Sequence, residues 1–513
     1  MDTVHKFYKN QDITYIENKY TLENRFCDKI PQSVLLPKFN DIKEKLPKPL
    51  WQGHNATIDC YFKAWEIAFS NIHNPNKNSG FVSPFIDAAF NGCIFMWDSC
   101  FMLMYGKYAN HIFNFQKTLD NFYALQHKDG FISREISEAD GSDSFSRFDP
   151  ASTGPNVMPW CEYEYYKITG DKNRICDIFP VLLAYHQWMR RYRTWRDGSY
   201  WSCGWGCGMD NMPRLKDNST NEKRYFDNGK MIWVDACLQQ IISCNVLIEM
   251  AKICNRCDEI SDIYAEKENL TKLVNEKLWD NETAFYYDLW EDNKLNMVKT
   301  AGSYWALLAD ILTQNNLKKF VEHLTNKNEF NRPNRVPTLS YDNPDYSKHG
   351  NYWRGSIWAP TNYMILKGLN KTGFNDLAFD IAKTSVENAV KTFESTNTLW
   401  ENYAPEYVGH GDIAKPDFVG WSGLFPISIL IEYVFGIQIN ADNNEIVWHI
   451  NLTDEFGIEN LRIGNKGKIN LFCKKRENES QKPQITIKSN IPVTVKVVYN
   501  RTTIEYNHNP KLN

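Results

Sequence analysis

No sign of charge predominates in this chain: 58 Lys and Arg stand against 62 Asp and Glu, a formal net charge of −4, without a basic block. The field that a nucleic acid or an anionic membrane surface would need is therefore missing, and neither partner is expected. No apolar run reaches the roughly 18 residues of a membrane span. The opening Met1-Asp2-Thr3-Val4-His5-Lys6 lacks the apolar stretch of an export signal, so a cytoplasmic location is expected. The 13 cysteines are odd in number and lack a scaffold spacing, which predicts mostly reduced thiols. Cys254 and Cys257 form a lone C-x-x-C, and Cys203 and Cys207 flank Trp205; neither pair supplies the four closed ligands of a structural zinc, so no metal is expected. A 34-residue or similar repeat is also missing, which disfavours an open solenoid.

What the chain does have is length and aromatic surface. Its 513 residues allow one large domain and a small one. Aromatics make up 14%, including 17 Trp, more flat faces with a polar edge than a core requires. Residues 1–50 are polar and end in Pro31, Pro37, Pro47 and Pro49, which reads as an arm lying over the main domain. From Asn55 the apolar period becomes helical: Ile58, Phe62, Trp65 and Phe69 share one face, as core packing demands. Similar spacing predicts a helix carrying Ile112, Phe115, Leu119 and Phe122 and helices at 157–169, 175–195, 232–253, 260–278, 304–312, 317–324, 357–369, 377–393 and 424–433, with a hairpin around Asp292-Asn293-Lys294. From Ile437 short β-rich runs such as Glu445–Ile450 and Val493–Val498 take over. The fold class is thus mainly α, with residues 51–436 as the helical domain and 437–513 as a small all-β domain packed on it.

Helices paired in two concentric rings would leave the loops at one end to form a funnel, and four loops have the composition to line it. Gly204-Trp205-Gly206-Cys207-Gly208-Met209-Asp210-Asn211-Met212-Pro213-Arg214 sets one carboxylate among glycines, which permit positive φ and close approach. Asp210 is the candidate general acid, a carboxyl that desolvation can keep protonated; the bland alternative is an Asx-turn aspartate. Trp97-Asp98 opens a helix, where an Asp is ordinarily a cap. Asn351-Tyr352-Trp353-Arg354-Gly355-Ser356-Ile357-Trp358 surrounds a Gly with aromatics and an Arg whose fixed fork can grip hydroxyls or a carboxylate. In Leu399-Trp400-Glu401-Asn402-Tyr403 the candidate general base is Glu401, with Glu406 as a nearby competitor. Glycoside hydrolysis needs one protonated carboxyl, one ionised carboxylate and aromatic faces to hold the ring.

Taken together, Gly208–Arg214, Tyr352–Trp358, Trp97-Asp98 and Trp400–Tyr403 resemble glycoside hydrolase family 63 and its trehalase-related clan, over roughly residues 80–435. The resemblance implies an (α/α)6 barrel, an inverting mechanism and no cofactor. It implies Asp210 as acid and Glu401 as base, with Trp97, Asp98, Trp353, Arg354 and Trp421 shaping a glucose-type subsite. Trp205, Arg214, Tyr352, Trp358, Trp400 and Tyr403 are added as substrate-binding candidates from their motif positions. The chain has no room for the large N-terminal β-domain of the processing glucosidases, and the Phe-Arg-Glu signature of trehalases is not apparent before Trp97. The expected activity is exo-acting, inverting release of an α-linked hexose, glucose above others, from a small glycoside or oligosaccharide. Two rivals are a sugar epimerase, which would want His bases that the motif loops lack, and a non-catalytic sugar-binding protein.

Overall fold

The computed structural model describes residues 16–215, 225–418 and 420–510. After short helical segments at Lys19–Glu23 and Phe39–Ile42, the main helices run from Asn55 to Val434, and strands dominate from Ile437 onward. The helix ends follow local chemistry. Met158–Thr169 begins with Pro159 in its first turn and ends on Gly170 at φ 64°, a left-handed stop that glycine adopts without penalty. Lys172–Tyr192 is capped by the Asp171 carboxylate, which accepts from the Arg174 amide at 3.1 Å. Asn255 and Asn397 close Val234–Cys254 and Asn375–Thr396 in the same left-handed conformation.

Periodicity located most of these helices to within a few residues, but three segments differ. The expected helix through Ile112 to Phe122 is broken, with only Thr118–Ala124 forming a regular helix after single tight turns. The segment expected at 304–312 shortens to Trp305–Ala309, because Asp310 turns left-handed at φ 60°. Phe425–Val434 is wound as a π-helix, a geometry that apolar spacing does not distinguish from α and that recurs near functional sites. The expected hairpin is present: Asp288–Trp290 pairs antiparallel with Leu295–Asn296 around Asn293.

Val234–Cys254 is long and apolar enough to cross a membrane, yet 72% of its most apolar window is buried inside the protein. It packs between Lys172–Tyr192 and Ser261–Lys277 and against Trp305–Ala309, so its uniform hydrophobicity is that of a core helix.

The C-terminal strands form two sheets. One has the order Ile437–Asn440, Glu445–His449, Val493–Tyr499, Thr502–His508, with a parallel pair at its centre. The other is antiparallel and begins with Lys48–Trp51, which pairs with Phe456–Ile463. The end of the expected N-terminal arm is therefore a strand of this second sheet, and the boundary at residue 50 falls inside it. Earlier in that arm, Asn18 Nδ2 donates to Gln187 and Asn24 Nδ2 to the Tyr123 carbonyl, which fix it along the helices; residues 1–15 lie outside the described residues. Trp448, fully buried, seals the β region to the helices, its indole N–H donating to the Phe435 carbonyl at 2.9 Å. Truncating such a residue costs about 3–5 kcal/mol.

Candidate active site

The Asp210 loop lies between the helices Lys172–Tyr192 and Val234–Cys254, and its own thiols shape it. Cys203 Sγ accepts from the Gly206 amide at 3.3 Å, Cys207 Sγ accepts from the Met209 amide at 3.4 Å, and the Cys207 amide donates to the Cys203 carbonyl at 2.9 Å. Both are free thiols, as are all 13 cysteines. Gly208 sits at φ +75°, and a Cβ there would meet the Trp97 indole at 3.3 Å. The glycine thus lets the backbone carrying Asp210 lie against Trp97. One residue on, Asn211 stitches this loop to the next: its Oδ1 accepts from the Trp353 amide at 2.8 Å, its Nδ2 donates to the Asn351 carbonyl, and its own carbonyl accepts from Arg354 Nε.

Tyr352 has φ +56°, a costly region for an aromatic residue and one that concentrates at functional sites. The conformation is held by Trp358, whose indole N–H donates to the Tyr352 carbonyl at 3.2 Å and whose ring stacks on Trp353 at 3.8 Å and 4°. The Tyr352 hydroxyl reaches Oε1 of Glu401 at 3.3 Å. Lys415 supplies the other partner, its amide donating to Oε2 at 3.1 Å. The Trp421 indole donates to the Glu401 carbonyl at 2.8 Å.

These segments enclose a cavity of about 270 Å³ lined by Trp97, Asp98, Trp205, Asp210, Tyr352, Trp353 and Trp421, together with Phe90, Asn91, Phe95, Arg134, Glu135, Gly154, Pro155 and Gly208. Burial pushes the Asp98 carboxyl well above the usual range, and the charges of Glu401 and Asp210 push it further. Burial likewise raises Glu401 to about 7; the Lys415 amide and the Tyr352 hydroxyl pull it down, and Asp210 pushes it up. Three carboxyls therefore feel one another across one aromatic-walled space, and they cannot all be ionised cheaply. Trp97 Nε1, Asp98 Oδ1 and Arg134 Nε are buried and meet no hydrogen-bond partner among the described residues. Polar atoms left so in a concave site suit a ligand rich in hydroxyls.

Several expected binding residues lie elsewhere. Arg214 is a correction: it is 2% exposed and both edges of its guanidinium are taken, by Asp235 at 2.6 and 2.9 Å and by Asp288 at 2.6 and 2.8 Å. It welds the core beneath the loop and does not line the cavity. Arg354 also stays off the lining, engaging the Asn211 carbonyl and Asp345. Trp358 backs Trp353 from behind, Trp400 stacks on His410 at 3.8 Å, and Tyr403 is buried against Phe425. Glu401 adjoins the cavity behind Tyr352. Its competitor Glu406 is paired twice with Arg332, at 2.7 and 2.8 Å, and burial's upward push there is outweighed by that guanidinium.

The basic residue in the cavity lining is Arg134, which is not among the candidates singled out from the sequence. Its guanidinium carbon lies 5.0 Å from the Phe145 ring centroid and 5.6 Å from that of Trp205, and it pairs with Glu135 at 3.4 Å. The available signal was an Arg-Glu pair between a Gly-Phe turn and the next helix.

Among the described residues, His186, Cys244 and Glu266 form the one group whose ligand atoms lie close enough to share a metal ion. Their demands are already met: Glu266 Oε2 takes His186 Nε2 and Arg190 Nη1, each at 3.0 Å, and Tyr200 takes the other oxygen. A guanidinium in contact with the same carboxylate opposes a cation, and the cluster lies outside the cavity.

A family model described as the mannosylglycerate hydrolase MGH1-like glycoside hydrolase domain matches residues 94–415, well over half the chain. An uncharacterized protein of Borreliella burgdorferi is 25% identical over 390 residues, covering 74% of this chain and 79% of that one. A mannosylglycerate hydrolase of Thermus thermophilus is 24% identical over 357 residues, 55% of this chain and 83% of the relative. The crystal structure of a GH63 mannosylglycerate hydrolase from Thermus thermophilus in complex with glucose superposes with a TM-score of 0.57 at 19% identity, covering 72% of this chain and 99% of that one. The chain belongs to the mannosylglycerate hydrolase MGH1-like glycoside hydrolases, within glycoside hydrolase family 63.

Proposed function

We propose that the protein is an inverting, exo-acting α-glycoside hydrolase that releases a single hexose, glucose above others, and that its helices close as an (α/α)6 barrel around the cavity. The observation that carries this reading is that Asp98 and Asp210 line one aromatic-walled cavity while Glu401, bonded to Tyr352 at its edge, stands close enough for its charge to raise Asp98 and for Asp210 to raise it in turn. At about 270 Å³ the cavity is just below the roughly 300–1,000 Å³ of drug-sized ligand pockets. That size suits one pyranose ring at the end of a glycoside.

In this reading Asp210 protonates the departing oxygen and Glu401 deprotonates the water that attacks the anomeric carbon from the opposite face. Two groups donate to the Glu401 carboxylate, the Lys415 amide and the Tyr352 hydroxyl, and both favour the ionised form a base requires. Asp98 and Arg134 would hold ring hydroxyls while Trp97, Trp353 and Trp421 cover the apolar faces of the sugar. A second reading exchanges the two roles, and the raised pKa of Glu401 is what favours it.

α-Glucosyl fluoride separates the assignments, because fluoride leaves without a proton. Asp210→Asn should keep turning over the fluoride while losing about 10²–10⁴-fold on natural glycosides; Glu401→Gln should lose both. The opposite pattern reverses the roles, and NMR of the first-formed anomer tests inversion directly. A wild-type enzyme inert towards a panel of α-glucosides and α-mannosides, fluorides included, would sink the proposal.

A further inference from the structure

A cavity of about 270 Å³ that admits one ring leaves the other half of a glycoside outside, so whatever receives the leaving group stands at the mouth. Of the aromatic residues in the lining, Trp97 is 8% exposed, Trp421 4% and Trp353 2%, and Phe95, Trp205 and Tyr352 are half-buried. Phe90 is the exception, lining the same cavity with 38% of its surface open. An exposed phenyl ring is common and needs no explanation by itself. This one, however, is held in place. Its edge meets Phe95 at 5.6 Å and 81°, and its ring packs on Phe418 at 5.2 Å and on Trp421 at 6.4 Å between centroids. The aromatic wall is thus continuous from the indole that binds the Glu401 carbonyl out to the rim.

A single residue ties that rim to the proposed base. The Lys415 amide donates to Glu401 Oε2 and the Glu401 amide returns a bond to the Lys415 carbonyl at 2.9 Å. The Lys415 ammonium reaches over to the Ala89 carbonyl and lies 5.0 Å from the Phe90 centroid. Ala89 itself sits at φ 60°, a conformation that an alanine keeps only under external restraint. The loop that presents Phe90 is therefore clamped by the same residue that seats the carboxylate.

We infer that Phe90 is the platform for the leaving group and that it selects glycosides whose leaving group presents a flat apolar face, a second sugar ring, over those with a compact acyclic one. The inference rests on the hydrolase reading above and adds the class of leaving group to it. A pyranose laid against the exposed part of the Phe90 ring gains the contact that a three-carbon polyol is too small to make. Covering the ring's apolar face removes apolar surface from water, and that makes the contact favourable.

The test compares wild type, Phe90→Ala and Phe90→Trp on three probes: α-linked glucose disaccharides of each linkage, α-glucosylglycerol and α-glucosyl fluoride. Phe90→Ala should lower kcat/KM on the preferred disaccharide about five- to tenfold, mainly through KM. Because Phe90 also lines the ring's cavity, α-glucosylglycerol and the fluoride serve as references and should each fall by a clearly smaller factor than the disaccharide, while Phe90→Trp should retain the disaccharide rate. Equal losses on all three probes, or none on the disaccharide, overturn the inference while leaving the hydrolase reading intact. Titration of tryptophan fluorescence with the disaccharides and with glucose decides the case if the wild type hydrolyses nothing. A disaccharide preference that disappears in Phe90→Ala supports the platform even then, and equal affinity ratios in the two proteins overturn it.

Discussion

The Tyr352 hydroxyl lies 3.3 Å from Oε1 of Glu401, and it is delivered there by a backbone turned to φ +56°. A hydrogen bond donated to a carboxylate favours the ionised form, so Tyr352 opposes the burial that raises Glu401 to about 7. With Glu401 as the base, kcat/KM of the free enzyme should fall as pH drops through about 7. Tyr352→Phe removes the donor, and the acid limb should move to higher pH by the equivalent of about 1 kcal/mol. A pH–rate profile of both proteins checks this. A limb that instead loses activity as pH rises through 7 would assign Glu401 the acid's role.

The same raised pKa makes a statement about stability. Between the ordinary glutamate value of 4.5 and about 7 the folded protein keeps a proton on Glu401 that the unfolded chain releases. Stability from this group is therefore fully present below 4.5 and is lost as pH rises to about 7. Glu401→Gln deletes that slope. Its stability relative to wild type should grow across this window to a gain on the order of 3 kcal/mol above it. Chemical denaturation of both proteins at several pH values measures it; parallel curves would mean that Glu401 is solvated like an ordinary carboxylate.

Much of the site was legible because composition marked it. Glycines and a tryptophan around Asp210, and aromatics around Glu401, are unusual enough to stand out, and the structure brings Trp97, Asp98, Trp205, Asp210, Tyr352, Trp353 and Trp421 to one cavity. Arginine was where the sequence misled. Arg214 stands four residues after Asp210, but its partners Asp235 and Asp288 lie 21 and 74 residues further along, and nothing local distinguishes a buried, spent guanidinium from one facing a ligand. Arg134 reaches the site only because Phe145 and Trp205 fold over it. Helix positions followed from apolar period, whereas the strand Lys48–Trp51 could not be placed, since its partner is about 400 residues away in sequence.

Arg214, spent on two buried aspartates, should matter to stability and not to binding. Replacing it with Met fills the space but leaves Asp235 and Asp288, 1% and 4% exposed, without their cation. Breaking a buried pair in this way costs about 3–5 kcal/mol. Arg214→Met should therefore unfold at markedly lower temperature at neutral pH, while KM of the folded fraction stays within about twofold of wild type. Thermal melts alongside initial rates separate the outcomes; a normal melt with a large rise in KM would return Arg214 to the binding site.

Gly208 offers a way to move Trp97 without touching it. At φ +75° an alanine is strained by about 1 kcal/mol, and its Cβ would stand 3.3 Å from indole atoms Cδ2 and Cε2 of Trp97. The indole must give by a few tenths of an ångström, and it forms part of the cavity wall. Gly198 provides the control, because at φ +85° it carries the same backbone strain while nothing lies within 4 Å of an added Cβ. Both alanine variants should lose about 1–2 kcal/mol of stability. Only Gly208→Ala should also lower kcat/KM, about tenfold, since a small misplacement of a positioning surface is costly to the reacting geometry. Equal catalytic effects in the two variants would show that the contact between Gly208 and Trp97 does not set the shape of the sugar site.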